Sequence, residues 1–178
     1  MNRKEFIGHT LKGATGLFLI KNPLNLSQAY GKDDKEIRFN NNASQVGFIG
    51  HYNSVEELIA ADTKELERIG GSFKEIADRI KEILEYAENE ANGKPNKNSI
   101  DPIIISFYSF TFGGQDCPFE GCNEGWNDFV RIKNSETEKT LTINRGIEHL
   151  ARDHHLLEKG NEYEIIPTEF YKHFMPEK

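Results

Sequence analysis

The segment from Ser72 to Ala87 constrains the fold of this chain more than any other stretch. Ser72 is followed three residues later by Glu75, a capping box that predicts the first turn of a helix. Apolar residues then recur every three or four positions, as on one face of an α-helix, at Phe73, Ile76, Ala77, Ile80, Ile83, Leu84 and Ala87. Gly93 and Pro95 are typical of the end of such a helix. The segment therefore predicts an amphipathic helix that must bury one face against the rest of the chain.

A second capping box lies just upstream of the first. Ser54 is followed by Glu57, and the pair predicts a helix that runs to about Ile69. Gly70 and Gly71 end this helix, and the short connection to Ser72 predicts that the two helices form a hairpin.

The second half of the sequence is rich in strand signals. Residues 103–112 are β-branched and aromatic throughout, which predicts a buried central strand that ends at Gly113 and Gly114. Residues 128–133 and 139–143 predict two strands of a hairpin, because residues 134–138 between them are typical of a turn. Residues 46–49 are expected to be a short strand or an extended lead-in, and a short strand is predicted at residues 163–166.

Two further helices complete the predicted fold. Asn144 is a suitable cap for a helix from Arg145 to Lys159, which Gly160 ends, and Pro167 starts a terminal helix. The chain is therefore expected to be an α+β protein, with a helical hairpin packed on a small, mainly antiparallel sheet. Residues 46–178 are predicted to form this single domain, behind a flexible N-terminal stretch at residues 30–45.

The chain has two cysteines, Cys117 and Cys122, and both follow the predicted central strand. Pro118 and Gly121 lie between them, so the loop is suited to a knuckle that directs both sulfurs at one point. The predicted helix at 145–159 then supplies His149 and His154, whose side chains join thiolates as preferred ligands of Zn²⁺.

This order of two cysteines, a hairpin and a helix with two histidines resembles the two-Cys, two-His zinc finger. The resemblance covers residues 117–154 only, and the segment between Cys122 and His149 is about twice the usual finger length. It implies a structural zinc ion bound by Cys117, Cys122, His149 and His154, in a zinc-knuckle-like site between a loop and a helix.

The spacing of the histidines raises a geometric question. On an ideal helix His149 and His154 lie about 140° apart, so we expect both to reach one ion only if the helix tightens or frays near residues 152–153. Asp153 lies on the same face as His149 and is a rival ligand or a partner of the ligands. His155 points elsewhere and is expected to be a surface group or a support for the ligands.

Two other interpretations use the same residues. In an oxidising compartment Cys117 and Cys122 can form a disulfide, which would make the chain an interaction module without metal. Alternatively, a thiolate, His149 and Asp153 could form a Cys-His-Asp catalytic set, or a zinc ion with an open position could activate water as in a hydrolase.

The N-terminal residues resemble a bacterial export signal. Asn2 to Ile7 resembles the twin-arginine motif, with Lys4 in place of the second arginine. A weakly apolar stretch at residues 13–20 follows, and then a small-x-small site that ends at Ala29. The resemblance implies that residues 1–29 are an export signal and that the mature protein, beginning near Tyr30, is periplasmic or secreted.

Charge restricts the partners of the mature protein. The 178-residue chain has a formal net charge of −7, and its first 29 residues contribute +3, which leaves about −10 for the remainder. Such an acidic chain is not expected to bind nucleic acid, whose phosphates repel it. No later stretch approaches the roughly 18 apolar residues that a transmembrane helix requires. The sequence as a whole thus predicts an exported zinc-binding domain and assigns no reaction to it.

Overall fold

The computed structural model describes residues 48–96 and 100–176 of the chain. The predicted export signal at residues 1–29 and the predicted N-terminal stretch at 30–45 lie outside the described residues. Within them the chain forms four helices and one sheet, which confirms the predicted α+β class. The elements, in chain order, are α1 Val55–Ile69, α2 Phe73–Ala91, β1 Ile103–Asp116, β2 Gly125–Asn134, β3 Thr140–Ile143, α3 Arg145–His154 and α4 Pro167–Phe174.

The two capping boxes set the starts of α1 and α2. The Ser54 Oγ accepts a hydrogen bond from the Glu57 N–H at 3.2 Å, and the Ser72 Oγ accepts one from the Glu75 N–H at 3.1 Å. Helix α1 ends at Gly70, whose φ of 67° lies in the left-handed region that favours glycine. The two helices therefore follow one another across the short turn that the sequence predicted.

The sheet has three strands in the order β1-β2-β3, and both pairs are antiparallel. Burial alternates along β2, with Trp126, Asp128, Val130 and Ile132 on the buried side. Strand β1 is longer than predicted, because Gly113 and Gly114 do not end it. They lie instead within a register shift between Phe110 and Gln115, after which pairing with β2 resumes.

The helix α3 begins as predicted but ends five residues early. The Asn144 Oδ1 accepts a hydrogen bond from the Ile147 N–H at 2.8 Å and caps the first turn. At the other end His155 adopts a φ of 53°, and the chain leaves the helix there. Leu156 and Leu157, neighbours in sequence, are then both fully buried. The predicted helix over residues 155–159 was therefore wrong.

The segment after α3 contacts Phe48 and Ile49, and it forms no strand at residues 163–166. Lys159 forms an isolated parallel bridge with Ile49, and its N–H donates to the Phe48 carbonyl at 3.0 Å. Residues 163–166, predicted as a strand, contain a turn and the approach to α4. The Glu164 N–H donates to the Asn161 carbonyl at 3.3 Å, and the Ile165 N–H donates to the Glu158 carbonyl at 3.1 Å. The isolated bridge between Ile49 and Lys159 is too short to make a strand.

The core lies between the helices and one face of the sheet. Helix α2 packs against α3 and β1, α3 packs against β2, and α1 packs against α4. The apolar face predicted for α2 is buried in this core, and the side chains of Ile76, Ile80 and Ile83 are fully inaccessible to solvent. This packing fixes the C-terminal end of α3 close to the loop between β1 and β2.

Candidate metal centre

The loop between β1 and β2 carries both cysteines. The Cys117 N–H donates to the Glu124 carbonyl at 2.8 Å, and this bond closes the loop at its base. Within the loop the Cys122 N–H donates to the Phe119 carbonyl at 3.2 Å, and Gly121 adopts a φ of 82°. A side chain at Gly121 would be strained in this conformation, so glycine permits the turn that places Cys122 beside Cys117.

Helix α3 supplies the two histidines, His149 from its middle and His154 as its last residue. Residues through His154 remain helical, so the helix does not fray near residues 152–153 as its geometry had suggested. The two imidazoles nevertheless converge, with ring centroids 5.0 Å apart and planes at 84°. The histidine side chains are therefore long enough to meet although their Cα atoms lie on different sides of the helix. No distortion of the helical backbone is needed.

The four side chains converge on one another and form what we call the Cys/His cluster: Cys117, Cys122, His149 and His154. The Cys117 Sγ lies 3.3 Å from the His154 Nε2, and the Cys122 Sγ lies 3.2 Å from the His149 Nε2. All four potential ligand atoms lie within 4.8 Å of one another. The structure thus brings together the four residues that the sequence nominated, between a loop and a helix.

The donor set and spacing of the Cys/His cluster fit a tetrahedral zinc ion. Ligand atoms about 2.0–2.3 Å from such an ion lie about 3.3–3.8 Å from each other. The two sulfur-to-nitrogen distances, 3.3 and 3.2 Å, are close to that edge length. An ion could therefore enter with small movements of the four side chains.

Asp153 contacts His149 on the side of its ring that faces away from the cluster. Its Oδ2 lies 2.7 Å from the His149 Nδ1, the ring nitrogen that faces away from Cys122. A carboxylate at this position favours a proton on Nδ1 and leaves the Nε2 lone pair directed at the cluster. Asp153 is therefore placed as a partner of a ligand, the second of the two roles considered for it.

Aromatic rings enclose the histidines. The Phe119 ring stacks on the His154 ring with centroids 3.9 Å apart and planes 2° from parallel. The Trp126 indole lies against His149 with centroids 6.2 Å apart, and it packs so closely on Gly146 that a Cβ there would lie 1.9 Å from its Cε2. These two rings pack against the two imidazoles, whereas the nearby Phe129 ring packs against Phe107, with centroids 5.6 Å apart.

Burial disfavours the charged forms of two members of the cluster, Cys117 and His154. It raises the pKa of Cys117 to about 12, and the nearby Cys122 and Asp153 contribute to the increase. Burial also lowers the pKa of His154 to about 4, helped by the charge of His149. The neutral imidazole is the form that can bind a metal, and a metal would have to displace the thiol protons.

His155 lies outside the cluster. Its ring stacks on Phe73 with centroids 5.3 Å apart, and burial lowers its pKa. A polar cleft lies on another side of Trp126, lined by Gly114, Gln115, Trp126, Asn127, Asp128, Asn144 and Tyr163. None of the four cluster residues lines this cleft, so it offers no direct access to the proposed ligand atoms.

A second buried polar group lies beyond the C-terminal end of α3, and no motif in the sequence indicates it. Lys159 is buried, and its Nζ lies 3.1 Å from the Oδ1 of the buried Asp62. One weak signal for this ion pair is the position of Asp62. It lies four residues from both Leu58 and Leu66, and therefore on the apolar stripe of α1.

No known protein family, curated protein or solved structure matches this chain. Over residues 48–96 and 100–176, the structure contains no helix that combines the length and apolar character needed to cross a bilayer. The Cys/His cluster is therefore the feature on which a functional proposal can be based.

Proposed function

We propose that this chain is an exported protein in which Cys117, Cys122, His149 and His154 bind one structural zinc ion. The observation that carries the metal assignment is the convergence of two sulfurs and two imidazole nitrogens within 4.8 Å. These four side chains come from two segments that are distant in sequence. Their convergence is therefore a product of the fold.

The donor set favours zinc over harder cations. Thiolate and imidazole are preferred ligands of zinc, whereas calcium and magnesium are bound by oxygen ligands. Four protein ligands fill a tetrahedral coordination sphere and leave no position for water, which is the pattern of a structural site. In this role the ion would tie the β1–β2 loop to the end of α3.

Export rests on the N-terminal sequence. Residues 1–29 have the order of a signal peptide, and Arg3 and Lys4 occupy the positions of the twin arginines. In this proposal residues 30–45 are the mature N-terminus, residues 46–178 form the folded domain, and the protein acts in the periplasm or outside the cell. Its acidic charge makes nucleic acid an unsuitable partner.

One observation favours a second candidate, a cysteine-dependent enzyme. His149 contacts a cysteine through one ring nitrogen and a carboxylate through the other. Its Nε2 lies 3.2 Å from the Cys122 Sγ, and its Nδ1 lies 2.7 Å from the Asp153 Oδ2. A nucleophile, a base and an orienting group have this arrangement in covalent catalysis. The structural zinc is preferred because Cys117 and His154 form a second, equivalent pair at the same point.

Metal analysis of the full chain, purified under reducing conditions without chelator, tests the zinc assignment. We expect about one zinc ion and two titratable thiols per chain. His149→Gln should lose the metal, whereas the matched control His51→Gln, at an exposed histidine outside the cluster, should retain it. Two free thiols without metal would refute the site, and no metal with no free thiol would indicate the disulfide.

Export is tested separately by expression in a bacterium with a twin-arginine pathway. We expect a mature form beginning at Tyr30 in the periplasm or medium, identified by mass spectrometry of the N-terminus. Replacement of both Arg3 and Lys4 by glutamine should leave the uncleaved chain in the cytoplasm. An intact N-terminus in the wild-type protein would contradict the export assignment.

A further inference from the structure

The two thiols of the Cys/His cluster differ in their access to solvent. Cys117 is 8% exposed, whereas Cys122 is only partly buried. Both belong to one short loop, and the structure has both as free cysteines. A reagent that enters from solvent therefore meets Cys122 first, with Cys117 directly behind it.

The two halves of the loop also differ in how firmly they are held. Pro118 and Phe119 are buried, and the Phe119 ring is stacked on His154. Gly121 is exposed, and a Cβ built there would meet no atom within 4 Å. The backbone beside Cys122 consequently has space to move, while the part that carries Cys117 is fixed against the core.

The distance between the thiols allows them to bond to each other. Both sulfurs belong to a set of atoms that lie within 4.8 Å of one another, and a disulfide requires about 2.05 Å. The shift needed is less than about 3 Å, which the exposed end of the loop can supply. The same two sulfurs can therefore either bind a metal together or bond to each other.

We infer that the zinc site is a redox switch, in which a hydroperoxide converts Cys117 and Cys122 to a disulfide and thereby releases the zinc ion. This inference rests on the proposed zinc site and adds a regulatory role to it. An exported protein works where thiol oxidants persist, so the switch would suit the proposed location.

The chemistry proceeds in two balanced steps. The Cys122 thiolate attacks the terminal oxygen of the hydroperoxide, the O–O bond breaks, and a sulfenic acid and an alkoxide form. The Cys117 thiolate then attacks the Cys122 sulfur, the S–S bond forms, and hydroxide leaves. Two electrons pass from the thiolates to the peroxide, and solvent protonates the products to an alcohol and water.

Loss of both thiolates removes half of the ligands from the ion. Two imidazoles alone bind zinc far more weakly than the complete set, because a structural site needs all four positions. The released loop would then be joined to α3 only through contacts such as that between Phe119 and His154. A reductant together with zinc should restore the original state.

The experiment starts from the reduced, zinc-loaded full chain, treated with stoichiometric tert-butyl hydroperoxide. A chelating dye reports released zinc, a thiol reagent counts cysteines, and peptide mass spectrometry locates the disulfide. We expect one zinc ion released for every two thiols lost, a bond between Cys117 and Cys122, and full reversal by dithiothreitol with zinc. Retention of zinc by the treated protein, or oxidation of the thiols to sulfinic acid without a disulfide, would overturn the switch.

Single variants test the order of attack. Cys117→Ser should accumulate a sulfenic acid at Cys122 that dimedone traps, whereas Cys122→Ser should give at least ten-fold less adduct at the sheltered Cys117. Equal labelling of the two variants would contradict the assigned order. The metal content of the reduced protein, measured before oxidant is added, separates failure of the zinc site from failure of the switch.

Discussion

Two buried polar regions lie at opposite ends of residues 149–159, and they neutralise their polar groups in different ways. At one end the Cys/His cluster gathers two sulfur and two nitrogen atoms within 4.8 Å of one another. At the other end Lys159 places its Nζ 3.1 Å from the Asp62 carboxylate, so this buried ion pair contains its own cation. Lys159 also donates a hydrogen bond to the Ile165 carbonyl.

The difference explains why a metal ion is proposed for one region and not for the other. The buried ion pair combines opposite charges, although the Asp62 Oδ2 accepts no hydrogen bond and burial raises the Asp62 pKa to about 6. The Cys/His cluster pairs thiols with imidazoles and directs all four donors inward, an arrangement that an external cation would use fully.

Loss of metal should have the largest effect. Zinc that binds only the folded chain stabilises it by about 5 kcal/mol when free zinc exceeds the dissociation constant about ten thousand-fold. Cys117→Ser should remove this stabilisation, measured as the free energy of unfolding in urea with and without zinc. The wild-type chain treated with chelator is the control, and a variant whose stability still rises with zinc would contradict the ligand assignment.

Removal of the cation from the buried ion pair should cost slightly less. Lys159→Met leaves the Asp62 carboxylate buried without its partner, which should destabilise the fold by about 4 kcal/mol. Zinc content should not change. The double variant Asp62→Leu with Lys159→Met should recover most of the lost stability. A Lys159→Met protein as stable as the wild type would show that Lys159 does not stabilise the buried Asp62 carboxylate.

Glu158 should make stability depend on pH. Its side chain is fully buried, its Oε1 has no hydrogen-bond partner, and burial raises its pKa to about 7. Because the folded pKa exceeds the unfolded value of 4.5, the stability that this group contributes is complete below about pH 4.5 and is lost as the pH rises through 7. The full change is about 3 kcal/mol.

Glu158→Gln isolates this contribution. The variant should match the wild type near pH 4 and exceed its stability by about 3 kcal/mol near pH 8, in urea unfolding of both proteins. The comparison at each pH removes the pH dependence of zinc binding and of Asp62, which both proteins share. A stability difference that stays constant from pH 4 to pH 8 would contradict the buried, protonated carboxyl group.

The smallest effect is expected at Asp153. Asp153→Ala removes the acceptor from the His149 Nδ1 and should weaken zinc binding about 10- to 100-fold, or about 1–3 kcal/mol. Competition with a chromophoric chelator gives the affinity. Glu120→Ala, which removes an exposed carboxylate from the β1–β2 loop, is the charge-matched control. Equal losses of zinc affinity in both variants would show that Asp153 acts only through its negative charge.

The sequence predicted those parts of the fold that local interactions determine. The serine caps of α1 and α2 and the Asn144 cap of α3 form with the side chains that the sequence indicated. The end of α3 could not be read in this way, because the backbone leaves the helix at His155 and Leu156 and Leu157 then enter the core. The irregular pairing at Gly113 and Gly114, beyond which β1 continues, likewise depends on the pairing of β1 with β2.

The candidate site was predictable in composition but not in arrangement. Spacing and residue type nominated the four cluster residues, since few other combinations of cysteine and histidine exist in the chain. The pairing of Cys117 with His154 and of Cys122 with His149 is set by the tertiary fold. So is the stacking of Phe119 on His154, for which the sequence held no periodic signal.

Zinc K-edge X-ray absorption of the reduced, full-length protein tests the central claim most directly, because it counts the sulfur and nitrogen ligands of the ion. We predict two sulfur atoms at about 2.3 Å and two imidazole nitrogens at about 2.0 Å, with no water in the first shell. A zinc shell without sulfur, or with a water in place of one protein ligand, would contradict a closed structural site built from Cys117, Cys122, His149 and His154.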